Sequence, residues 1–235
     1  MPIILSIETS TKGCSAALHQ EGKLLSISEL YHEKSSSGML TTLIEHVVKV
    51  ANLSFRDLDA IAVAKGPGSY TGLRIGVSTA KGLCFTLEKP LIAINTLESM
   101  AFSMFDSSFI IHHSSFNISL CPMLDARRME VYCAIYQGFT MQEVAPTQAK
   151  IIDETSFADL LENNKMLFFG DGAEKCKAIL GENPNAIFLN EIINPSARSV
   201  GVLATKAFEN TQFENVADFE PYYLKDFMAT TPKVK

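Results

Sequence analysis

Signals for secondary structure occur in the same order twice along the 235-residue chain, and few folds accommodate such a duplication. In the first half, apolar runs and turn residues predict three short strands, a helix, and then alternating strands and helices. The second half predicts the same order, βββαβαβα. We therefore expect an α/β protein of two similar lobes at residues 1–105 and 118–228, with a linker at 106–117 and a flexible tail at 229–235.

This duplicated order resembles the actin, sugar-kinase and heat-shock chaperone superfamily, called ASKHA, whose lobes are actin-like and ribonuclease H-like. In that superfamily a nucleotide lies between the lobes, and the first hairpin of each lobe holds its phosphates. The resemblance gives this chain a set of candidate nucleotide-side residues. They are Glu8, Thr9, Ser10, Asp125, Arg127, Arg128, Gly170 and Gly172.

The residues themselves leave the role of these hairpins open. Arg127 and Arg128 replace the glycines that would let a backbone approach phosphates, so they either bind phosphate directly, form an exposed turn, or pair with a nearby acid. Glu8 and Asp125 start corresponding hairpins, where a kinase-like protein would hold a metal or activate water. Without glycine turns around them, we interpret both acids as remnants or as turn-stabilising acceptors.

The net charge, the cysteine content and the apolar runs of the sequence bear on nucleic-acid binding and on the cellular compartment. The formal net charge of −6 disfavours direct binding to nucleic acid, which is driven by basic surface. The five cysteines include no CxxC pair, which favours reduced, buried thiols. The first residues do not resemble a signal peptide, and no apolar run is long enough for a membrane span. We therefore expect a cytoplasmic protein.

A glycine-rich segment, KGPGSYTGLRIG at residues 65–76, lies between a predicted buried strand and a long predicted helix. Such a position suits an anion, although a tight connection without a ligand is an equal alternative. Two phosphate motifs fail here. The P-loop pattern needs a lysine where Leu73 stands, and the dinucleotide pattern meets Thr71 at its third glycine. A nicotinamide-dependent dehydrogenase is therefore disfavoured.

The sequence of this segment, GPGSYTGLRIG at residues 66–76, closely resembles the hallmark motif of the TsaB (YeaZ) family. Its family-motif loop consists of Gly66, Pro67, Gly68, Ser69, Tyr70, Thr71 and Arg74. Further matches are IETS at 7–10, DARRMEVY at 125–132, GDGA at 170–173 and PYYLK at 221–225. The resemblance thus covers nearly the whole chain.

The resemblance implies a non-catalytic scaffold subunit that dimerises with a catalytic paralogue, TsaD. That paralogue transfers a threonylcarbamoyl group to the adenosine beside the anticodon of tRNA. Further implied partners are a TsaE-like ATPase and, through the complex, tRNA. Weak ATP or ADP binding at the partner interface and a homodimer in isolation stay open. The alternative is an enzyme in its own right, either an ATP-dependent ASKHA enzyme or a glycoprotease-like metallopeptidase.

Metal chemistry has little support in the sequence. The TsaD-like paralogue holds its metal through an HxxxH motif, whose spacing places both imidazoles on one helix face. None of the five histidines here forms such a pair, and the adjacent His112 and His113 lie in the predicted linker. We expect no bound metal.

The resemblance also places the first-lobe helices against the partner. The first helix carries apolar residues around more than one stripe, and the next has small residues that permit close approach of another helix. The predicted partner interface comprises Met39, Leu43, Val47, Gly72, Leu73, Gly76, Ala80 and Leu83. The alternative is that the lobe's own sheet covers both faces.

Overall fold

Each half of the chain forms a five-stranded sheet, and the two sheets share one strand order. The computed structural model describes residues 1–31, 36–105 and 118–225. The predicted linker and the predicted tail lie outside these described residues, as do His112 and His113. The strands are β1 (Ile3–Glu8), β2 (Cys14–Gln20), β3 (Lys23–Leu30), β4 (Ala60–Gly66), β5 (Leu91–Asn95), β6 (Ile118–Asp125), β7 (Glu130–Gln137), β8 (Glu143–Ile151), β9 (Lys165–Phe169) and β10 (Ala186–Phe188).

The first sheet runs β3-β2-β1-β4-β5, and the second runs β8-β7-β6-β9-β10. In each sheet the first three strands are antiparallel. The next strand, β4 or β9, pairs in parallel with the central strand, and the edge strand, β5 or β10, pairs in parallel with that one. The central strands β1 and β6 are buried almost throughout because helices cover both of their faces. The predicted fold class, a duplicated two-lobed α/β fold, is confirmed.

Helices follow the strands in the predicted order. They are α1 (Ser36–Val50), α2 (Tyr70–Leu87), α3 (Thr96–Phe105), α4 (Ala158–Asn163), α5 (Ala173–Leu180) and α6 (Ala197–Glu209). Polar residues cap three of them: Ser69, Asn95 and Ser196 accept hydrogen bonds from the first-turn N–H groups of α2, α3 and α6. Among the described helices, none is both long and apolar enough to cross a membrane.

Each sheet is covered on one face by a helix from the other half of the chain. Helices α1 and α2 cover one face of the first sheet, and α4 and α5 cover one face of the second. The other face of the first sheet packs against α6, through Val200 and Ala204 on Ile4 and Ile92. Correspondingly, α3 packs on the second sheet. The expected lobes of residues 1–105 and 118–228 therefore need correction, because α3 and α6 each complete the core of the opposite half.

Candidate functional site

The family-motif loop packs against the turn between β1 and β2. Strand β4 ends at Gly66, and Ser69 caps α2. The Ser69 N–H donates to the Ser10 carbonyl at 2.6 Å, and a Cβ on Gly68 would lie only 2.3 Å from that oxygen. Gly66 has φ of +113°, which favours glycine. The loop glycines thus let the chain approach its own backbone.

The same contact continues along α2. Thr9 Oγ1 donates to the Gly72 carbonyl at 2.8 Å. A Cβ on Gly72 would lie 2.0 Å from the Thr9 carbonyl oxygen, and one on Gly76 would lie 2.2 Å from Thr9 Oγ1. The small-residue face of α2 is therefore filled by Thr9 of the same chain, and no second helix can use it.

This corrects most of the predicted partner interface. Six of its eight residues are buried within the first half because they face the sheet or the β1–β2 turn. They are Leu43, Val47, Gly72, Leu73, Gly76 and Ala80. Two remain accessible: the side chain of Met39 is 40 % exposed and Leu83 is half-buried.

Two further apolar residues on these helices are exposed, and the predicted interface did not include them. Phe85 on α2 is 83 % exposed, and Val50 at the end of α1 is 58 % exposed. The signal for Phe85 was its place on a helix side that otherwise carries Ser78 and Gly82, opposite the apolar stripe. We call the four accessible apolar residues Met39, Val50, Leu83 and Phe85, on the contacting helices α1 and α2, the helix-pair surface. Leu83 and Phe85 are two positions apart and lie on different sides of α2.

Glu8 points into the interior at the end of β1. It is 2 % exposed, and its Oε1 accepts a hydrogen bond from the Ser10 N–H. Its Oε2 has no hydrogen-bond partner among the described residues. Burial raises the pKa of the Glu8 carboxyl to about 7, although the hydrogen bonds from Ser10 and Thr9 partly oppose this. Glu8, Thr9 and Ser10 thus hold the turn on which the motif loop rests.

The second hairpin is stabilised through Asp125. This carboxylate forms an ion pair with Lys175, and it accepts the Arg127 N–H at 3.0 Å. Although partial burial raises the pKa of Asp125, these hydrogen bonds and the Lys175 charge leave it below its usual value. Arg127 and Arg128 are exposed and have φ of +70° and +51°. They form an exposed turn, one of the three alternatives considered above.

A second glycine segment repeats the first. Gly170 has φ of +102°, and a Cβ on Gly172 would lie 2.8 Å from the Leu124 carbonyl carbon at the end of β6. Asp171 Oδ1 accepts the Asp125 N–H at 2.9 Å. In both halves, glycines after a parallel strand therefore support the first hairpin of that half. The described contacts bring Glu8 and Asp125 into equivalent supporting positions, not into a shared ligand cradle.

The last described segment connects the two halves. Residues 214–225, which we call the C-terminal strap, bring the PYYLK sequence to the motif loop. The Tyr222 N–H donates to the Lys65 carbonyl at 2.7 Å, and the Tyr223 ring stacks on Tyr70 with centroids 4.6 Å apart. Arg74 lies 4.4 Å above Tyr70 and donates to the Tyr223 hydroxyl at 3.3 Å.

The strap then reaches the second half. Lys225 forms an ion pair with Glu130 and donates to the Ala126 carbonyl at 3.5 Å, on either side of the Arg127–Arg128 turn. The sequence stretches that carried the family resemblance are thus assembled around one region, and this could not be read from their spacing.

The two histidines that the structure describes differ in their exposure to solvent. His46 is exposed on α1, whereas His19 is fully buried, and a Cβ on Gly201 of α6 would lie 2.0 Å from its Nδ1. Burial and the nearby charge of Arg198 lower the pKa of His19 to about 4. Within the described ranges, no cluster of three or more His, Cys, Asp or Glu side chains is arranged to hold a metal ion.

Comparison with known proteins connects these features to a family. A family model described as "TsaD: tRNA N6-adenosine threonylcarbamoyltransferase" matches residues 31–233. The tRNA threonylcarbamoyladenosine biosynthesis protein TsaB of Bacillus subtilis is 30% identical over 91% of this chain and 85% of its own length. TsaB of Escherichia coli is 28% identical over 96% of each chain.

A tRNA N6-adenosine threonylcarbamoyltransferase, from Prosthecochloris aestuarii, is 33% identical over only 43% of this chain and 34% of that protein. Among solved structures, YeaZ from Pseudomonas aeruginosa is similar in fold, with a TM-score of 0.77 and 24% identity over 95% of this chain and all of the other. Sequence, length and fold agree, and the chain belongs to the TsaB (YeaZ) family.

Proposed function

We propose that this chain is the partner subunit of a TsaD-like threonylcarbamoyltransferase in the biosynthesis of threonylcarbamoyladenosine in tRNA, and that it performs no chemistry itself. The extent of the similarities supports a TsaB role. The chain aligns with TsaB proteins over most of both lengths, but it covers only about a third of the transferase from P. aestuarii.

The observation that carries this proposal is the helix-pair surface. Phe85 is almost as exposed as a side chain in an unfolded peptide would be, and it shares two adjacent helices with Met39, Val50 and Leu83. A large aromatic side chain in water gains free energy when a partner covers it, and such residues dominate binding at subunit interfaces. The occupant that suits this surface is the TsaD-like paralogue.

The state of the two candidate acids supports the absence of catalysis. Glu8 is buried and bonded to its own turn, while Asp125 is ion-paired with Lys175. The unpartnered Oε2 of Glu8 is buried and out of reach of a substrate, and the Lys175 charge lowers the pKa of Asp125, which makes that carboxylate a weaker base. Purified chain should therefore show negligible ATP hydrolysis and no stoichiometric zinc or iron, whereas a metal-dependent activity abolished by a chelator would contradict the scaffold role.

The same proposal includes two further partners, a TsaE-like ATPase and tRNA, which is reached through the complex. It also includes weak binding of ATP or ADP at the partner interface and a cytoplasmic location. When the paralogue is absent, the same helix-pair surface can pair two copies of this chain, which would make the homodimer and the heterodimer mutually exclusive.

Replacing Phe85 tests the proposed surface. The Phe85→Asp variant should bind a TsaD-like paralogue at least about tenfold more weakly than wild type, because it places a charge in an apolar contact. Isothermal titration measures the affinity, and the thermal midpoint should be unchanged because Phe85 supports no core. The matched control is Phe139→Asp, which alters an exposed aromatic residue of the second half. Equal affinities of the two variants would assign the partner to another surface.

A further inference from the structure

The C-terminal strap joins two regions that otherwise lie in different halves. On the first half, Val216 and Phe219 pack against the core beneath α1 and α2. Lys81 of α2 donates to the Ala217 and Phe219 carbonyls at 3.1 and 2.9 Å. Together with the contacts of Tyr223 to Tyr70 and Arg74, this attaches the strap along most of the length of α2.

On the second half, the strap contacts the hairpin between β6 and β7 through Lys225. Lys225 contacts Ala126 and Glu130, the residues that flank the Arg127–Arg128 turn. The hairpin amides are already paired within the turn, because the Ala126 N–H donates to the Glu130 carbonyl and the Glu130 N–H to the Arg127 carbonyl. Because the hairpin is held together by its own hydrogen bonds, a contact from the strap restrains the whole hairpin.

The strap has the properties of a segment that can loosen locally. It contains no helix or strand, and most of its residues are exposed, including Glu220, Tyr222 and Lys225. Segments with few buried contacts open at a lower free energy than the whole fold. Its stability thus depends on few contacts: the α2 and hairpin contacts just described, and backbone hydrogen bonds from Glu214 to Leu91 and from Tyr222 to Lys65 of the first sheet.

We propose that the C-terminal strap couples the partner-binding helix α2 to the Ala126–Glu130 hairpin, so that covering the helix-pair surface tightens the hairpin at the other end. This inference rests on the proposed function for the identity of the partner. A partner that restrains α2 also restrains Tyr70, Arg74 and Lys81, which hold the strap. A firmly held strap keeps Lys225 on Glu130, and the hairpin opens less often.

Amide hydrogen exchange on the full chain tests the coupling. Binding of a TsaD-like paralogue should slow exchange in wild-type peptides covering α2 and also in those covering residues 126–137. In Lys225→Met, which keeps the aliphatic stem but loses the ion pair, α2 should still be protected while the hairpin response is lost. The control is Lys177→Met, which alters an exposed lysine of α5. An undiminished hairpin response in Lys225→Met would overturn the coupling.

A second arm needs no partner and separates this inference from the proposed function. In the isolated chain, Arg74→Met removes a contact on α2 and should speed exchange of the hairpin amides several-fold. In the Lys225→Met background the same substitution should add nothing, because the connection is already cut. A hairpin that is indifferent to Arg74→Met would reject the strap, whereas failure of the wild-type chain to bind the paralogue would reject only the proposed partner.

Discussion

Glu8 and His19 are ionisable residues buried in the first half, and burial shifts their pKa values in opposite directions. The carboxyl of Glu8 has its pKa raised to about 7, and the imidazole of His19 has its pKa lowered to about 4. Each shift makes the free energy of unfolding depend on pH. The stabilisation linked to Glu8 is present below pH 4.5 and lost towards pH 7. That linked to His19 is present above pH 6.5 and lost towards pH 4.

Removing the Glu8 charge should expose this dependence. Glu8→Gln keeps the acceptor for the Ser10 N–H but has no proton to lose. We expect the variant to match wild type near pH 4.5 and to exceed its free energy of unfolding by up to about 3 kcal/mol at pH 8. Urea unfolding across this range measures it. The exposed Glu162→Gln serves as the control, and a Glu8→Gln variant no more stable than wild type at pH 8 would show that burial does not govern this carboxyl.

His19 gives the opposite test. The ring is fully buried and lies against Gly201 of α6, so an apolar side chain of similar size suits the site better than a charged imidazolium. His19→Leu should therefore retain its thermal midpoint between pH 7.5 and pH 5 better than wild type does. The exposed His46→Leu on α1 is the matched control and should follow wild type. A wild-type midpoint as constant as that of His19→Leu would contradict the lowered pKa.

The helix α2 offers two glycines with contrasting surroundings. A Cβ on Gly76 would lie 2.2 Å from Thr9 Oγ1, whereas one on Gly82 has nothing within 4 Å. Gly76→Ala should therefore lower the free energy of unfolding by about 1–3 kcal/mol through overpacking. Gly82→Ala should raise it by up to about 1 kcal/mol through better helix propensity. Denaturant midpoints of the isolated chain measure both, and equal effects of the two substitutions would place the Gly76 face outside the core.

These elements also show how far sequence reasoning reaches. The order of strands and helices, βββαβαβα in each half, was predictable because the apolar residues of the elements recur with a clear period between turn residues. What the Gly72–Gly76 face packs against could not be predicted, because a stripe of small residues can pack against a turn of its own chain as well as against a helix of a partner. The exposure of Phe85 and the course of the strap depend on contacts between residues distant in sequence.

At the scale of the whole molecule, the net charge of −6 disfavours tRNA binding by this chain alone. Association with phosphates is driven by release of counterions to basic surface, and Arg127 and Arg128 form only a small exposed pair. We expect weak binding of tRNA to the isolated protein at physiological salt and appreciable binding once the paralogue is present. Fluorescence anisotropy with labelled tRNA measures both states, and tight salt-sensitive binding by the isolated chain would contradict this expectation.

The exchange of α3 and α6 has a consequence for biogenesis. As the polypeptide leaves the ribosome, the first sheet has its α1 and α2 side covered early, but its other side stays bare until α6, residues Ala197–Glu209, has been made. Ile4 and Ile92 therefore stay in contact with water until α6 has emerged. Domains usually fold as units in order of emergence. Here the core of the nascent first half cannot be completed before α6 has been made, so the two halves mature together.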